Sequence, residues 1–234
     1  MILRIITFLF TLHSLNAQSL QTDLSLKYLS REPIVKSTHT PILLLLHGLG
    51  SNENDLIALA SHLPKQMQIV SVQAPITLSQ NSFAWFHVDL SRGTPIYKGI
   101  EAEKSRTLLL TFIEELKHKY KTNEIYLIGF SQGAILSFSV ALTHPEKVNG
   151  VVALSGRILP DIQPQLATPV RLKKLRLFIG HGVNDHVLPL DNAKATYNFC
   201  KEADVSFTYK EYPIGHEISE NELKDILDWF ESLK

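Results

Sequence analysis

The run IYLIGFSQGA, residues 125–134, constrains the fold of this chain more than any other stretch. An apolar segment, Ile125–Phe130, stops at Ser131, with Gly129 two residues before it and Gly133 two after. A G-x-S-x-G pentad between a strand and a helix reads as an elbow. The turn is so tight that the serine backbone is strained and its Oγ stands exposed at the sheet edge. Glycine belongs on both sides because a Cβ would strike the turn or the neighbouring strand. The helix-capable AILSFSVAL follows directly and supplies the second half of the motif.

Apolar strand-like segments and helical patterns alternate around this elbow. Leu24, Leu26 and Tyr28 alternate with polar residues as an edge strand would. Ile42–Leu46 (ILLLL) is continuously apolar, as expected of a strand covered on both faces. Ser51–Asp55 offers a cap and first-turn acids for a helix through about His62, and Gln68–Gln73 reads as a further strand. Residues 76–100 are rich in Pro, Gly and aromatics and read as one long irregular loop. A helix follows with Leu109, Phe112, Ile113, Leu116 and Tyr120 on one face. Past the elbow, strands are expected at Val148–Leu154, Leu175–Ile179 and Val205–Tyr212, and a helix at Asp191–Ala203. A last helix opens on the capping box Ser219 and Glu222. This alternation, without repeats or a linker, predicts a single α/β domain over residues 18–234. Its central sheet is mainly parallel, with helices on both faces.

In such sheets, ligands sit at the carboxyl ends of the strands. The partners of Ser131 should therefore lie in loops after later strands. After LRLFI comes Gly180-His181-Gly182-Val183-Asn184-Asp185-His186, and after VSFTYKEY comes Pro213-Ile214-Gly215-His216. The order Ser131, Asp185, His216 is that of α/β-hydrolase triads. A serine hydroxyl is a weak nucleophile until an imidazole takes its proton, and a buried carboxylate fixes the tautomer of that imidazole. His181 and His186 flank the aspartate and follow the wrong strand for this role. His47-Gly48-Leu49-Gly50 closes the ILLLL strand, so the amides of Leu49 and Gln132 are the expected pair facing a developing oxyanion.

Composition narrows the alternatives. Lys+Arg and Asp+Glu balance at 23 each, which favours neither nucleic acid nor an anionic surface as a partner. The histidines lack H-E-x-x-H spacing, and neither G-x-x-x-x-G-K nor G-x-G-x-x-G occurs. No metal and no cofactor is expected. The single cysteine, Cys200, has no internal disulfide partner and reads as a small buried hydrophobe. Residues 1–17 stand apart: a positive start at Arg4, an apolar run IITFLFTL, and a small residue at Ala17. They read as a secretory signal, cleaved after Ala17, that exports the protein to the periplasm or beyond. The run is far short of the roughly 20 residues that cross a bilayer, so no stable membrane anchor is expected.

LLLHGLGSNENDL, Trp85-Phe86, GFSQGA, ALSG, GHGVNDHVLP and YPIGHEIS together resemble the phospholipase/carboxylesterase family of α/β-hydrolases, which includes the acyl-protein thioesterases. The resemblance spans nearly all of the chain after residue 17. It implies Ser131, Asp185 and His216 as the triad, Leu49 and Gln132 as oxyanion donors, and Trp85 and Val187 beside the acyl pocket. With 234 residues and about 200 of them in an α/β core, a separate cap domain is not expected. The expected activity is cleavage of a small-molecule carboxylic ester, with short to medium acyl chains, through an acyl-enzyme. The neighbouring alternatives are an acyl-protein thioesterase or lysophospholipase, a polysaccharide-acyl esterase, and a silent binding protein. Two positions depart from the family pattern: His87 stands where a carboxylate is common, and His186 where a proline is. Nothing in the sequence favours a monomer over a homodimer.

Overall fold

The computed structural model describes residues 19–89, 91 and 95–233. The expected leader over residues 1–17 lies outside them. The elements follow one another as β1 (Tyr28–Arg31), β2 (Ile42–Leu46), α1 (Glu53–Ile57), β3 (Gln68–Val72), β4 (Ile76–Ser79), β5 (Ser82–Ala84), β6 (Val88–Asp89), β7 (Ile96–Tyr97) and α2 (Gly99–Tyr120). Then come β8 (Ile125–Phe130), α3 (Gln132–Thr143), β9 (Gly150–Leu154), α4 (Pro169–Leu172), β10 (Arg176–Gly182), α5 (Asp191–Glu202), β11 (Ser206–Tyr212) and α6 (Glu220–Ser232). Seven strands form one sheet in the order β1-β3-β2-β8-β9-β10-β11. Only β1 runs antiparallel to its neighbour; the other pairs are parallel. This is the α/β-hydrolase fold, and no separate cap domain stands over it among the described residues.

The unbroken leucines of β2 are explained by cover on both faces. Ile42, Leu44 and Leu46 join the cluster under α2, α3 and α5, whereas Leu43 and Leu45 join the one under α1 and α6. With side chains alternating between faces, a strand buried on both can carry no polar position. Truncating one of these fully buried leucines to alanine would cost about 2–5 kcal/mol. Helix α3 is buried along its whole length, which explains its lack of a polar face. Its hydroxyls are satisfied internally: Ser137, Ser139 and Thr143 donate to the carbonyls of Gly133, Ile135 and Ser139 at 2.8, 2.9 and 2.6 Å. Among the described residues no helix is long and apolar enough to cross a membrane.

Four local expectations need correction. Strand β1 begins at Tyr28 rather than Leu24, and Tyr28 and Leu29 are both buried. Residues 76–100 are not an irregular loop, since β4 pairs with β5 and β6 with β7 as two short antiparallel ribbons. The turn of the first passes through Asn81 at φ +60°, a conformation asparagine tolerates. Such short ribbons hold too few residues to show alternation in sequence. The helix expected from Ser51 to His62 divides into α1, capped by the Asn52 side chain, and a 3-10 turn at Ala58–Ser61. Finally, β10 runs on to Gly182, so His181 belongs to the strand.

Candidate active site

The elbow has the backbone its sequence demands. Ser131 sits at φ +53° and ψ −116°, a strained conformation for any residue with a Cβ. The turn closes only because its neighbours are glycines: a Cβ on Gly129 would overlap the Gly133 carbonyl, and one on Gly133 the Leu46 carbonyl. The Ser131 amide is held by the Leu154 carbonyl at 2.9 Å, and its own carbonyl accepts the Ile135 amide at 3.0 Å. The side chain therefore leaves the central strand β8 at a fixed angle above the sheet.

Two loops converge on it. The turn after β10 is stitched to that after β11 by Val183 N to Tyr212 O at 2.8 Å and Asn184 N to Ile214 O at 3.0 Å. The approach is so close that a side chain at Gly182 would overlap the Gly215 carbonyl. His216 is thereby placed between two oxygens: Nε2 lies 2.9 Å from Ser131 Oγ and Nδ1 2.7 Å from Asp185 Oδ2. The ring packs on Phe130, centroid to centroid 4.9 Å. The Asp185 side chain is fully buried. Burial opposes its ionisation, yet the His216 hydrogen bond and the Leu188 and Val187 amides prevail and hold the carboxyl below its usual range. Both amides reach Oδ1 at 2.8 Å, leaving Oδ2 for the imidazole. An anionic carboxylate facing Nδ1–H leaves Nε2 lone-paired towards the serine hydroxyl, the arrangement needed to accept its proton.

The two amides expected to face an oxyanion follow the ends of β2 and β8. Neither the Leu49 nor the Gln132 amide has a protein acceptor among the described residues. For Gln132 this follows from its place at the start of α3, where amides lack intrahelical partners. Its side chain does a different job: Oε1 accepts the Trp85 amide at 2.8 Å and Nε2 donates to the Phe86 carbonyl at 2.7 Å, tying the 84–88 segment to the elbow.

Trp85 is displaced from its expected place beside the substrate. It is wholly buried, and its Nε1 donates to the His47 carbonyl at 3.0 Å, beneath the loop that carries Leu49. Val187, in contrast, is exposed and lines the cleft beside Ser131 together with Phe86, Val88, Ile135 and Leu188. Of the two departures noted above, His87 is exposed and bonded to Glu101 at 2.9 Å, and His186 is exposed. His181, set aside as the base, braces the aspartate loop by a hydrogen bond from Nε2 to the Leu188 carbonyl at 2.7 Å. Sequence reasoning placed the Trp85-Phe86 pair at the pocket but did not single out Val88, Tyr97 or Arg157 as lining residues. Val88 and Tyr97 sit on the short β6-β7 ribbon, whose folding carries no periodic signal, and Arg157 follows the ALSG segment, which marks the strand end without assigning this side chain a role. Among the described residues no group of three or more His, Cys, Asp or Glu is placed to hold a metal ion.

Comparison with known proteins gives the family and the fold. The model of the phospholipase/carboxylesterase family matches residues 33–233. Carboxylesterase SOBER1 of Arabidopsis thaliana is 27% identical over 206 residues, covering 80% of this chain and 88% of that protein. Acyl-protein thioesterase 1 of Saccharomyces cerevisiae is 28% identical over 205 residues, 79% of this chain and 88% of its own. The crystal structure of the Bacillus cereus carboxylesterase superposes with a TM-score of 0.78 at 26% identity, covering 89% of this chain and 95% of that one. With a serine elbow on an α/β-hydrolase sheet and a family match over most of its length, the chain belongs to the phospholipase/carboxylesterase family.

Proposed function

We propose that the protein is a carboxylesterase that works through Ser131, His216 and Asp185. The observation that carries this reading is His216, hydrogen-bonded to Ser131 Oγ at 2.9 Å and to Asp185 Oδ2 at 2.7 Å. Ser131 Oγ attacks the ester carbonyl as His216 Nε2 takes its proton, and Asp185 stabilises the imidazolium. The Leu49 and Gln132 amides face the oxyanion. His216 returns the proton to the leaving alcohol, which departs from an acyl-Ser131 intermediate. Water, deprotonated by the same Nε2, then cleaves the acyl-enzyme and regenerates Ser131. The cleft beside Ser131 is narrow, about 80 Å³, and mostly apolar. A space of that size buries a few methylenes at roughly 0.8 kcal/mol each and leaves longer chains in water, which supports short to medium acyl groups.

The test is labelling with a fluorophosphonate followed by peptide mapping, together with hydrolysis of 4-nitrophenyl esters from acetate to palmitate. Modification of Ser131 and a maximum below about ten carbons are expected from the cleft's size. An unmodified Ser131 overturns the mechanism. A maximum at palmitate favours the thioesterase reading that the yeast relative's name raises. We also propose export, supported by the composition of residues 1–17. Recovery of the mature chain outside the cytoplasm with Gln18 at its N-terminus tests it, and uniform cytosolic retention rejects it.

A further inference from the structure

The apolar cleft beside Ser131 carries one charge among its described lining residues, Arg157. This side chain is half-buried in the wall of the cleft. Its guanidinium carbon lies 5.8 Å from the centre of the Tyr97 ring, within the range of a cation–π contact that fixes position without neutralising charge. The nearest negative group by connectivity does not serve Arg157. Asp161 accepts the Tyr97 hydroxyl and lies against Gly99 at the start of α2, where a Cβ would overlap its Oδ1. Among the described residues no carboxylate comes within ion-pair distance of Arg157 and no acceptor takes its N–H groups; Nε is buried without a partner.

A guanidinium drawn partly out of water with no counter-charge carries a desolvation cost and no compensating attraction. Nε has lost water without gaining a partner, and an anion arriving in the apolar wall would offset that loss. The planar N–H fork suits a carboxylate in two-point contact. We infer that the acyl group this cleft accepts ends in a carboxylate, so that the substrates are monoesters of dicarboxylic acids, with Arg157 as the residue that selects them. The inference rests on the esterase mechanism above and adds to it the chemistry at the far end of the acyl chain.

The test uses the full chain and 4-nitrophenyl esters of glutarate, adipate and pimelate with the distal acid free, each against the same ester with that acid capped as a methyl ester. Spontaneous rates are subtracted. At one of the three lengths, kcat/KM for the free acid should exceed that of its capped partner by about tenfold or more. The advantage should shrink in about 1 M salt. Arg157→Gln should abolish it, and Arg157→Lys should retain part of it. Equal or slower hydrolysis of the free acid at all three lengths overturns the inference, as does a preference that survives in Arg157→Gln. Fluorophosphonate labelling of the same preparations separates the two levels. A labelled Ser131 without the preference rejects the carboxylate alone, and an unlabelled Ser131 rejects the esterase mechanism beneath it. Should Arg157→Gln fail to fold, the wild-type comparison of free and capped esters decides by itself.

Discussion

His47 Nδ1 donates to the carbonyl of Gly48 at 2.7 Å. The donor is fixed as Nδ1 because Nε2 accepts the Ala74 amide at 3.1 Å, and an amide can only donate. Burial keeps this imidazole neutral by lowering its pKa. In a trans peptide the carbonyl and the following N–H point in opposite directions. Holding the Gly48 oxygen therefore aims the Leu49 amide the other way.

If that amide faces the oxyanion, His47→Gln should act on the transition state. Loss of a whole oxyanion donor costs about 10²–10³ in kcat, and misaiming it should cost about tenfold to a hundredfold with little change in KM. Stopped-flow hydrolysis of a 4-nitrophenyl ester measures both constants. A rise in KM with kcat intact would mean that His47 merely supports the fold of the cleft.

The proposed triad makes a sharper prediction. Ser131→Ala should lower kcat by about four to six decades with the melting temperature nearly unchanged, because alanine takes the same strained backbone without added bulk. The double variant with His216→Ala should lose little more. Asp185→Asn should cost about 10⁴ in kcat. The amide still accepts from Val187 and Leu188, but its NH₂ faces His216 and turns the wrong tautomer towards Ser131. Survival of a tenth of wild-type activity in Ser131→Ala rules out this assignment.

A third prediction concerns a carboxyl outside the cleft. Glu222 is 1% exposed on α6, with its Oε2 lacking a partner among the described residues. Burial pushes its pKa up to about 8, and the Ser219 amide offsets this only in part. A raised carboxyl binds a proton in the folded chain that the unfolded chain releases near 4.5. Folding is therefore penalised progressively as pH rises from 4.5 towards 8 and is unpenalised below that window. Glu222→Gln mimics the protonated form. It should be close to wild type in stability at pH 4.5 and more stable at pH 8, the difference growing on the order of 1 kcal/mol per pH unit. Urea unfolding at several pH values measures this, and a constant difference would show that Glu222 does not titrate in the window.

The legible parts of this protein are those written in local covalent necessity. Gly129 and Gly133 are dictated by overlaps with the Gly133 and Leu46 carbonyls, so the elbow could be read from five letters. Asp185 and His216 could be placed because each follows a strand legible in sequence, the first as the apolar run LRLFI and the second as the alternation VSFTYKEY, and the order of the strands fixed which loop held which. The cleft wall was hidden for the opposite reason. Val88 and Tyr97 lie on ribbons of two residues a side, and nothing short of tertiary packing decides which of two adjacent aromatics, Trp85 or Phe86, turns inward. The capping box at Ser219 is present: Ser219 Oγ accepts the Glu222 amide at 3.1 Å, and the Ser219 amide lowers the pKa of the Glu222 carboxyl. What the pattern does not reveal is that this carboxyl is buried.

The Trp85 and Phe86 pair yields the last prediction. The family resemblance puts Trp85 beside the acyl pocket, but it is buried between the His47 carbonyl and the Gln132 side chain, so its removal opens a hole instead of a pocket. Trp85→Ala should cost about 3–5 kcal/mol of stability and lower kcat by slackening the loop of Leu49, while the ranking of acyl lengths stays the same. Val88 lines the cleft and is only half-buried, so Val88→Trp should shorten the preferred acyl chain by filling space, with little loss of stability. Rates for 4-nitrophenyl acetate through decanoate, measured for both variants alongside thermal melts, distinguish the two roles. A shifted length optimum in Trp85→Ala, with Val88→Trp unchanged, would place the acyl group on the tryptophan side of the segment and reverse the assignment.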